Sequence, residues 1–237
     1  MPHISITNLS VEFNVYGTNS RSLKKRILSQ ATGGRISSAK GDHVQVRALN
    51  QINLEVCDGE RIGLIGHNGS GKSTLLRVLA DLYRPTSGTV RTVGNIGTLI
   101  DPSAGMDPDS SGIENIYLRG YVLGLSAKQI SERIDEIVEF TELGDFINLP
   151  LRTYSAGMFA RLSFAISTSI KPDILLIDEG IGAGDAGFIQ KMRARLDKFV
   201  NDASILMLAS HDQSLIERFC NKTITLEHGN IVDISSS

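Results

Sequence analysis

Apolar and polar positions alternate from residue 4 to residue 15 (Ile4, Ile6, Leu9, Val11, Phe13, Val15). That is the period of a strand with one buried face, and we read it as an edge strand. A second strand runs from Val46 to Val56, and the Asp58-Gly59 turn leads into the apolar run Arg61-Ile62-Gly63-Leu64-Ile65. The stretch Leu75-Leu76-Arg77-Val78-Leu79-Ala80 reads as a helix, and Pro85-Thr86-Ser87-Gly88 is a turn before a strand at 89–93. Residues 112–170 carry helical periodicity over 113–123, 126–142 and 156–170. In the second of these Ile130, Ile134, Ile137 and Val138 share one face and Ser126 suits the N-cap. From Pro172 onward short apolar strands (174–177, 204–209, 224–227, 231–234) alternate with helices (188–200, 214–219). Strands alternating with helices predict an α/β chain around a parallel core sheet, with the helical block inserted between its two halves.

Residues 17–45 break this texture. They are rich in Gly, Ser and Thr and carry Arg21, Lys24, Lys25, Arg26, Arg35 and Lys40 against one acid, Asp42. Leu23, Ile27 and Leu28 predict a short basic amphipathic helix near 21–31. Such a segment is either a solvated surface insertion or a contact for a partner or an anionic lipid head group.

Bulk properties narrow the function classes. At 237 residues the chain can bury a sizeable core, and its net charge of −2 gives no global drive toward nucleic acid or an anionic membrane. No apolar run approaches the roughly 18 residues that a bilayer crossing needs, and the N-terminus does not read as a signal peptide. Cys57 and Cys220 lack a paired spacing and read as buried free thiols in a reducing, cytoplasmic compartment.

The densest chemistry lies in Gly66-His67-Asn68-Gly69-Ser70-Gly71-Lys72-Ser73-Thr74. Strand, glycine loop and helix follow one another, the context of a phosphate-binding P-loop. Gly66, Gly69 and Gly71 let the backbone approach a phosphate without a Cβ in the way, and consecutive N–H groups cradle the anion at the helix N-terminus. Lys72 can reach the β- and γ-phosphates of a nucleoside triphosphate, and the Ser73 hydroxyl can ligate Mg2+. Downstream, Ile174-Leu175-Leu176-Ile177-Asp178-Glu179 is an apolar strand ending in two carboxylates. A buried parallel strand delivers such acids to the sheet edge where α/β folds bind ligands. Asp178 suits Mg2+, and Glu179 can orient and deprotonate a water. His211 ends the next apolar strand, within reach of a γ-phosphate.

Tyr154-Ser155-Ala156-Gly157-Met158 offers an N-cap, Ser155, and a glycine that admits another backbone. Between a P-loop and an Asp-Glu strand it resembles the signature motif of ATP-binding cassette (ABC) ATPases, usually Leu-Ser-Gly-Gly-Gln. The resemblance covers nearly the whole chain. It implies a P-loop NTPase core with a mostly parallel sheet, an N-terminal antiparallel β-subdomain and an inserted helical subdomain near 100–170, within one domain over 1–237. It implies that Ser155 and Gly157 contact the γ-phosphate held by a second subunit's P-loop. It makes Phe13 the adenine platform, with Tyr16 as the alternative, and puts Asp185 in a loop (Gly182-Ala183-Gly184-Asp185) that communicates across the dimer. His211 matches the family's switch histidine. The loop that normally begins with a Mg2+-ligating glutamine falls in Leu99-Ile100-Asp101-Pro102-Ser103, where Asp101 is the substitute oxygen ligand.

Gly105-Met106-Asp107-Pro108, Gly112-Ile113-Glu114-Asn115-Ile116, the Tyr-Ser-Ala-Gly-Met signature and the basic insertion resemble the polysaccharide-export branch of that family. The resemblance implies a homodimer of peripheral ATPase subunits on the cytoplasmic face of the inner membrane. These would drive membrane-spanning permease subunits that export a lipid-linked, O-antigen-like polysaccharide, with ATP and Mg2+ bound and no nucleic acid. Some members carry a C-terminal carbohydrate-binding domain, which is not expected in a chain ending at Ser237. The alternatives are the ATPase of another transporter, a lipid or drug exporter or an importer, or a non-transport ABC ATPase.

Overall fold

Ile4, Ile6, Leu9 and Val11 are all buried, but the alternation slips by one residue between Ile6 and Leu9. A computed structural model, which describes residues 1–15, 36–38, 44–178 and 186–236, accounts for the slip. Asn8 adopts a left-handed conformation (φ 50°), and the register of strand β1 (His3–Val15) shifts there. A bulge of this kind re-aims the following side chains to the same face.

Strand β1 is not at an edge. It pairs antiparallel with both β3 (Val44–Cys57) and β5 (Ser87–Val93), and β2 (Ile36–Ser38) extends the sheet in the order β2-β3-β1-β5. Alternation reports one buried face, and it carries no information on how many neighbours a strand has. The helix expected near 21–31 lies outside the described residues.

The chain resolves into two compact units: Met1–Gly94, Leu176–Glu179 and Ser204–Ser237 in the first, Asn95–Leu175 and Gly180–Ala203 in the second. In the first, β4 (Arg61–Ile65) pairs parallel with β8 (Ile205–Ala209) on one side and β9 (Lys222–Glu227) on the other. The order β10-β9-β4-β8 continues to the end of β7 (Ile174–Ile177), with β10 (Asn230–Ser236) antiparallel to β9. Ile62, Leu64 and all of β8 are buried, as expected of a parallel strand covered on both faces. A Cβ on Gly63 would stand 2.7 Å from Ile216, so helix α7 (Gln213–Phe219) packs directly on the backbone of β4. Helix α1 (Lys72–Leu79) follows the glycine loop.

The second unit holds the short strand β6 (Ile96–Thr98), which sequence reasoning did not separate, and helices α2 (Gly112–Val122), α3 (Ala127–Ser131), α4 (Ile134–Thr141), α5 (Ala156–Ser167) and α6 (Ala186–Asp202). The helix expected over 126–142 is two helices. Ser126 caps the first in a reciprocal box with Gln129. The chain turns at Glu132 and Arg133, where Arg133 Nε donates to the Ser169 carbonyl. Phe140 packs against Phe164 and Phe188 with ring centroids 6.1 and 5.3 Å away, joining α4, α5 and α6 in one aromatic core.

Candidate functional site

The loop between β4 and α1 is folded by its glycines. Gly66, Gly69 and Gly71 have φ of 142°, 77° and 116°, backbone that L side chains rarely adopt. A Cβ on Gly66 would sit 2.2 Å from the Leu226 carbonyl oxygen, and one on Gly71 would sit 2.9 Å from the Ala48 carbonyl oxygen. The loop is therefore seated against β9 and β3, and the Gly229 N–H donates to the Ser70 carbonyl at 2.9 Å. Helix α1 starts from Gly71 with no capping side chain and no acid in its first turn. Its N-terminal amides and positive dipole end suit an anionic partner.

Lys72 is buried, and its Nζ donates to the Gly66 carbonyl at 2.7 Å and the His67 carbonyl at 3.4 Å. Its ammonium thus lies over the loop. Ser73 Oγ donates to Asp178 Oδ1 at 3.1 Å, joining the first turn of α1 to the residue after β7. A hydroxyl and a buried carboxylate side by side form a hard oxygen pair of the kind Mg2+ takes with phosphates and water. His211, just after β8, makes a 2.7 Å hydrogen bond from Nε2 to Asn68 Oδ1 of the loop. Residues 68–74, Ala48, Asp178 and His211 line one cavity of about 140 Å³. The residues present fit a nucleoside triphosphate and its metal: a glycine cradle that a Cβ would fill, an uncapped helix start, a cation and an oxygen pair.

Sequence reasoning missed Ala48, since a small residue inside a strand carries no chemical signal. Phe13 is not among the residues lining this cavity. It is partly exposed and stands edge-on to Tyr83, with centroids 5.5 Å apart. Tyr16, Glu179 and Asp185 lie outside the described residues. Cys57 is exposed, against the expectation of two buried thiols. It is still paired with His3 in the sheet, but it lies on the exposed face of β3 with Gln51, Asn53 and Glu55, opposite the buried Val56. Cys220 is buried, and burial pushes its thiol up to about 12.

The second unit has a site of its own. Ser155 caps α5 by accepting from the Met158 N–H at 3.2 Å. Tyr154 donates its hydroxyl to the Phe146 carbonyl at 2.8 Å and packs so tightly on Gly112 that a Cβ there would meet it at 2.5 Å. Burial raises the Tyr154 phenol above its ordinary value, keeping it a neutral donor. Among the described residues, a Cβ on Gly157 would meet only Ser155 Oγ, at 3.9 Å. Ser155, Gly157, Met158, Arg161, Glu142, Leu143 and Phe146 line an open cavity of about 250 Å³.

Asp101 is also in the second unit. Its carboxylate accepts from the Ser103 N–H at 3.1 Å and the Ser103 hydroxyl at 2.7 Å. Its carbonyl accepts from the buried Arg119 at 3.2 Å, and Arg119 also donates to the Ala104 carbonyl at 2.6 Å. Burial lowers the Arg119 pKa, with Asp101 opposing. Among the described residues no group of three or more His, Cys, Asp or Glu is gathered as a metal centre.

Residues 49–182 match the family model described as ABC transporter, more than half of the chain. The chain belongs to the ABC transporter family. This ABC protein is an ATP-hydrolysing enzyme. It is 45% identical over 235 residues to the O-antigen export system ATP-binding protein RfbE of Yersinia enterocolitica, covering 99% of this chain and 98% of that one. It is 41% identical over 208 residues to the O-antigen export system ATP-binding protein RfbB of Myxococcus xanthus, covering 88% of this chain and 47% of that longer one. The teichoic acids export ATP-binding protein TagH of Lactococcus lactis is 41% identical over 184 residues, 78% of this ABC chain and 39% of its own. The fold matches the ATP-binding cassette MJ0796, solved as a dimer in a post-hydrolysis state bound to ADP and Pi, with a TM-score of 0.69 at 21% identity over 98% of both chains. No helix among the described residues is long and apolar enough to cross a membrane.

Proposed function

We propose that this ABC protein is the ATPase subunit of an exporter of lipid-linked polysaccharide, of the O-antigen type. It would be held at the cytoplasmic face of the membrane by permease subunits. One observation carries the export reading: the 45% identity over nearly the whole of both chains to an O-antigen export ATP-binding protein. Two copies bind two ATP molecules head to tail. Each ATP lies on one chain's P-loop and meets Ser155 and Gly157 of the other, a reading supported by the open space around Gly157.

In this reading the 66–74 loop binds and orients the triphosphate through its amides, and Lys72 turns from the loop carbonyls toward the phosphates. Ser73 and Asp178 hold Mg2+, with Asp101 the candidate for a further oxygen. Bound there, the ion would supply charge neutralisation to the phosphates. Glu179 orients the attacking water and accepts its proton, and His211, held by Asn68, faces the γ-phosphate. Donors aimed at developing charge supply most of the transition-state stabilisation. Phe13 or Tyr16 carries the adenine, and Asp185 links the two copies. The basic 17–45 segment contacts the permease or the anionic carrier.

A strain lacking the gene tests export. It accumulates lipid-linked polysaccharide inside and loses it from the surface. The native gene restores the surface polymer, and a Glu179→Gln version, which binds ATP without turning it over, does not. Normal surface polysaccharide in the deletion strain contradicts the export reading.

A further inference from the structure

His67, the first residue of the phosphate loop after Gly66, and His228, in the β9–β10 turn, are 161 positions apart in sequence. Their rings are neighbours, with centroids 5.0 Å apart and planes inclined by 58°. Both side chains are exposed. Imidazole nitrogens bind Zn2+ at about 2.0–2.1 Å, so two rings on one tetrahedral ion have centroids about 5 Å apart. The observed spacing lets both rings reach one such ion.

Both rings stand on fixed backbone. The His67 carbonyl accepts from the Ser70 N–H at 3.0 Å and from Lys72 Nζ. His228 and Gly229, with φ of 49° and 80°, form a two-residue turn of the tight hairpin type, and Gly229 is hydrogen-bonded on both sides, to Ser70 and Asn50. The tautomer of His67 follows from its partner. Nδ1 lies 2.9 Å from the Asn68 carbonyl oxygen, which can only accept, so Nδ1 carries the proton and Nε2 keeps its lone pair. Ligating histidines are commonly oriented in this way, the non-ligating N–H donating to a carbonyl.

We propose that His67 and His228 form a site for a borderline divalent transition ion, Zn2+, Ni2+ or Cu2+, with water completing the coordination shell. Imidazole nitrogen selects these ions over Mg2+, which demands oxygen. The site is separate from the Ser73–Asp178 oxygen pair and uses neither residue. An ion here ties the phosphate loop to the C-terminal hairpin and stabilises the folded first unit by mass action.

The test uses the full chain, stripped of metal, free of nucleotide and in excess Mg2+, titrated with ZnCl2 by calorimetry while thermal unfolding is followed. The comparison is with His228→Asn, since asparagine suits the left-handed turn position and leaves the ATPase activity unchanged. The native chain binds one more Zn2+ than this variant, and its unfolding midpoint rises by several degrees where that of the variant does not. His67→Ala shows the same loss of one ion. Equal zinc stoichiometry and midpoint shift in native and His228→Asn chains overturn the site, as does loss on one histidine replacement but not the other. Absence of zinc binding to the native chain overturns it too.

Discussion

The helix starts of α1 and α5 both carry glycine, and their surroundings are opposite. At the start of α1, Gly66 and Gly71 are packed against the Leu226 and Ala48 carbonyls, and Lys72, Ser73 and Asp178 are already engaged with partners from the same chain. At the start of α5, a Cβ on Gly157 would meet only Ser155 Oγ among the described residues. A glycine pressed between backbone atoms is required by its own fold. A glycine facing open space is required by something else, or by nothing. The comparison separates a phosphate cradle packed within one chain from a helix start that the proposed function completes with a second copy.

The largest expected effect is at Gly66. Gly66→Ala forces a Cβ into the Leu226 carbonyl at a left-handed φ, costing about 3 kcal/mol or more and abolishing ATP binding. Denaturant unfolding and nucleotide titration check both, and near-native values would mean the loop is not seated as described. Gly157→Ala should move stability and activity in opposite directions. Removing a helical glycine stabilises the chain by up to about 1 kcal/mol. Turnover falls about 100-fold if the open face receives a second chain's γ-phosphate. Unchanged turnover would assign Gly157 no contact and erase the contrast.

Legibility followed the same division. The P-loop and the Asp178 strand were readable because their chemistry needs fixed spacing along the chain, and residues 72–74, Asp178 and His211 do line one cavity. What failed depended on partners distant in sequence. The edge position expected for β1 was wrong because pairing with β5 leaves no trace in its alternation. The break at Glu132 and Arg133 has no glycine or proline to announce it, and depends on Arg133 reaching the Ser169 carbonyl. Arg119, which holds the carbonyls of Asp101 and Ala104, reads in sequence as one more helical cation. The role proposed for Ser155 and Gly157 came from the family resemblance, since an N-cap and a glycine by themselves mark only a helix start.

Smaller effects sharpen the contrast. Tyr154→Phe removes the hydrogen bond to the Phe146 carbonyl and costs about 1 kcal/mol in the second unit, with ATP affinity of the P-loop unchanged. Local exchange protection of α5 against nucleotide affinity separates the two. A parallel loss of ATP affinity would mean the helix start is not independent of the cradle. The smallest effect is kinetic. Cys57 reacts with a thiol reagent at once, while Cys220, its thiol pushed up to about 12 by burial, reacts only when the unit opens. A Cβ on Gly63 would lie 3.5 Å from Cys220 Sγ, so this thiol reports on the strand that feeds the P-loop. ATP should slow its labelling several-fold, and labelling blind to ATP would show the cradle and its strand to be uncoupled.

In the proposed function one chain supplies half of a hydrolytic site. The most direct measurement is the mass in solution of the Glu179→Gln chain with and without ATP, by light scattering at concentrations where ATP is fully bound. The account predicts that ATP doubles the mass and that Gly157→Asp in the same chain returns it to that of one copy. Full occupancy by ATP with the mass of a single chain would contradict it.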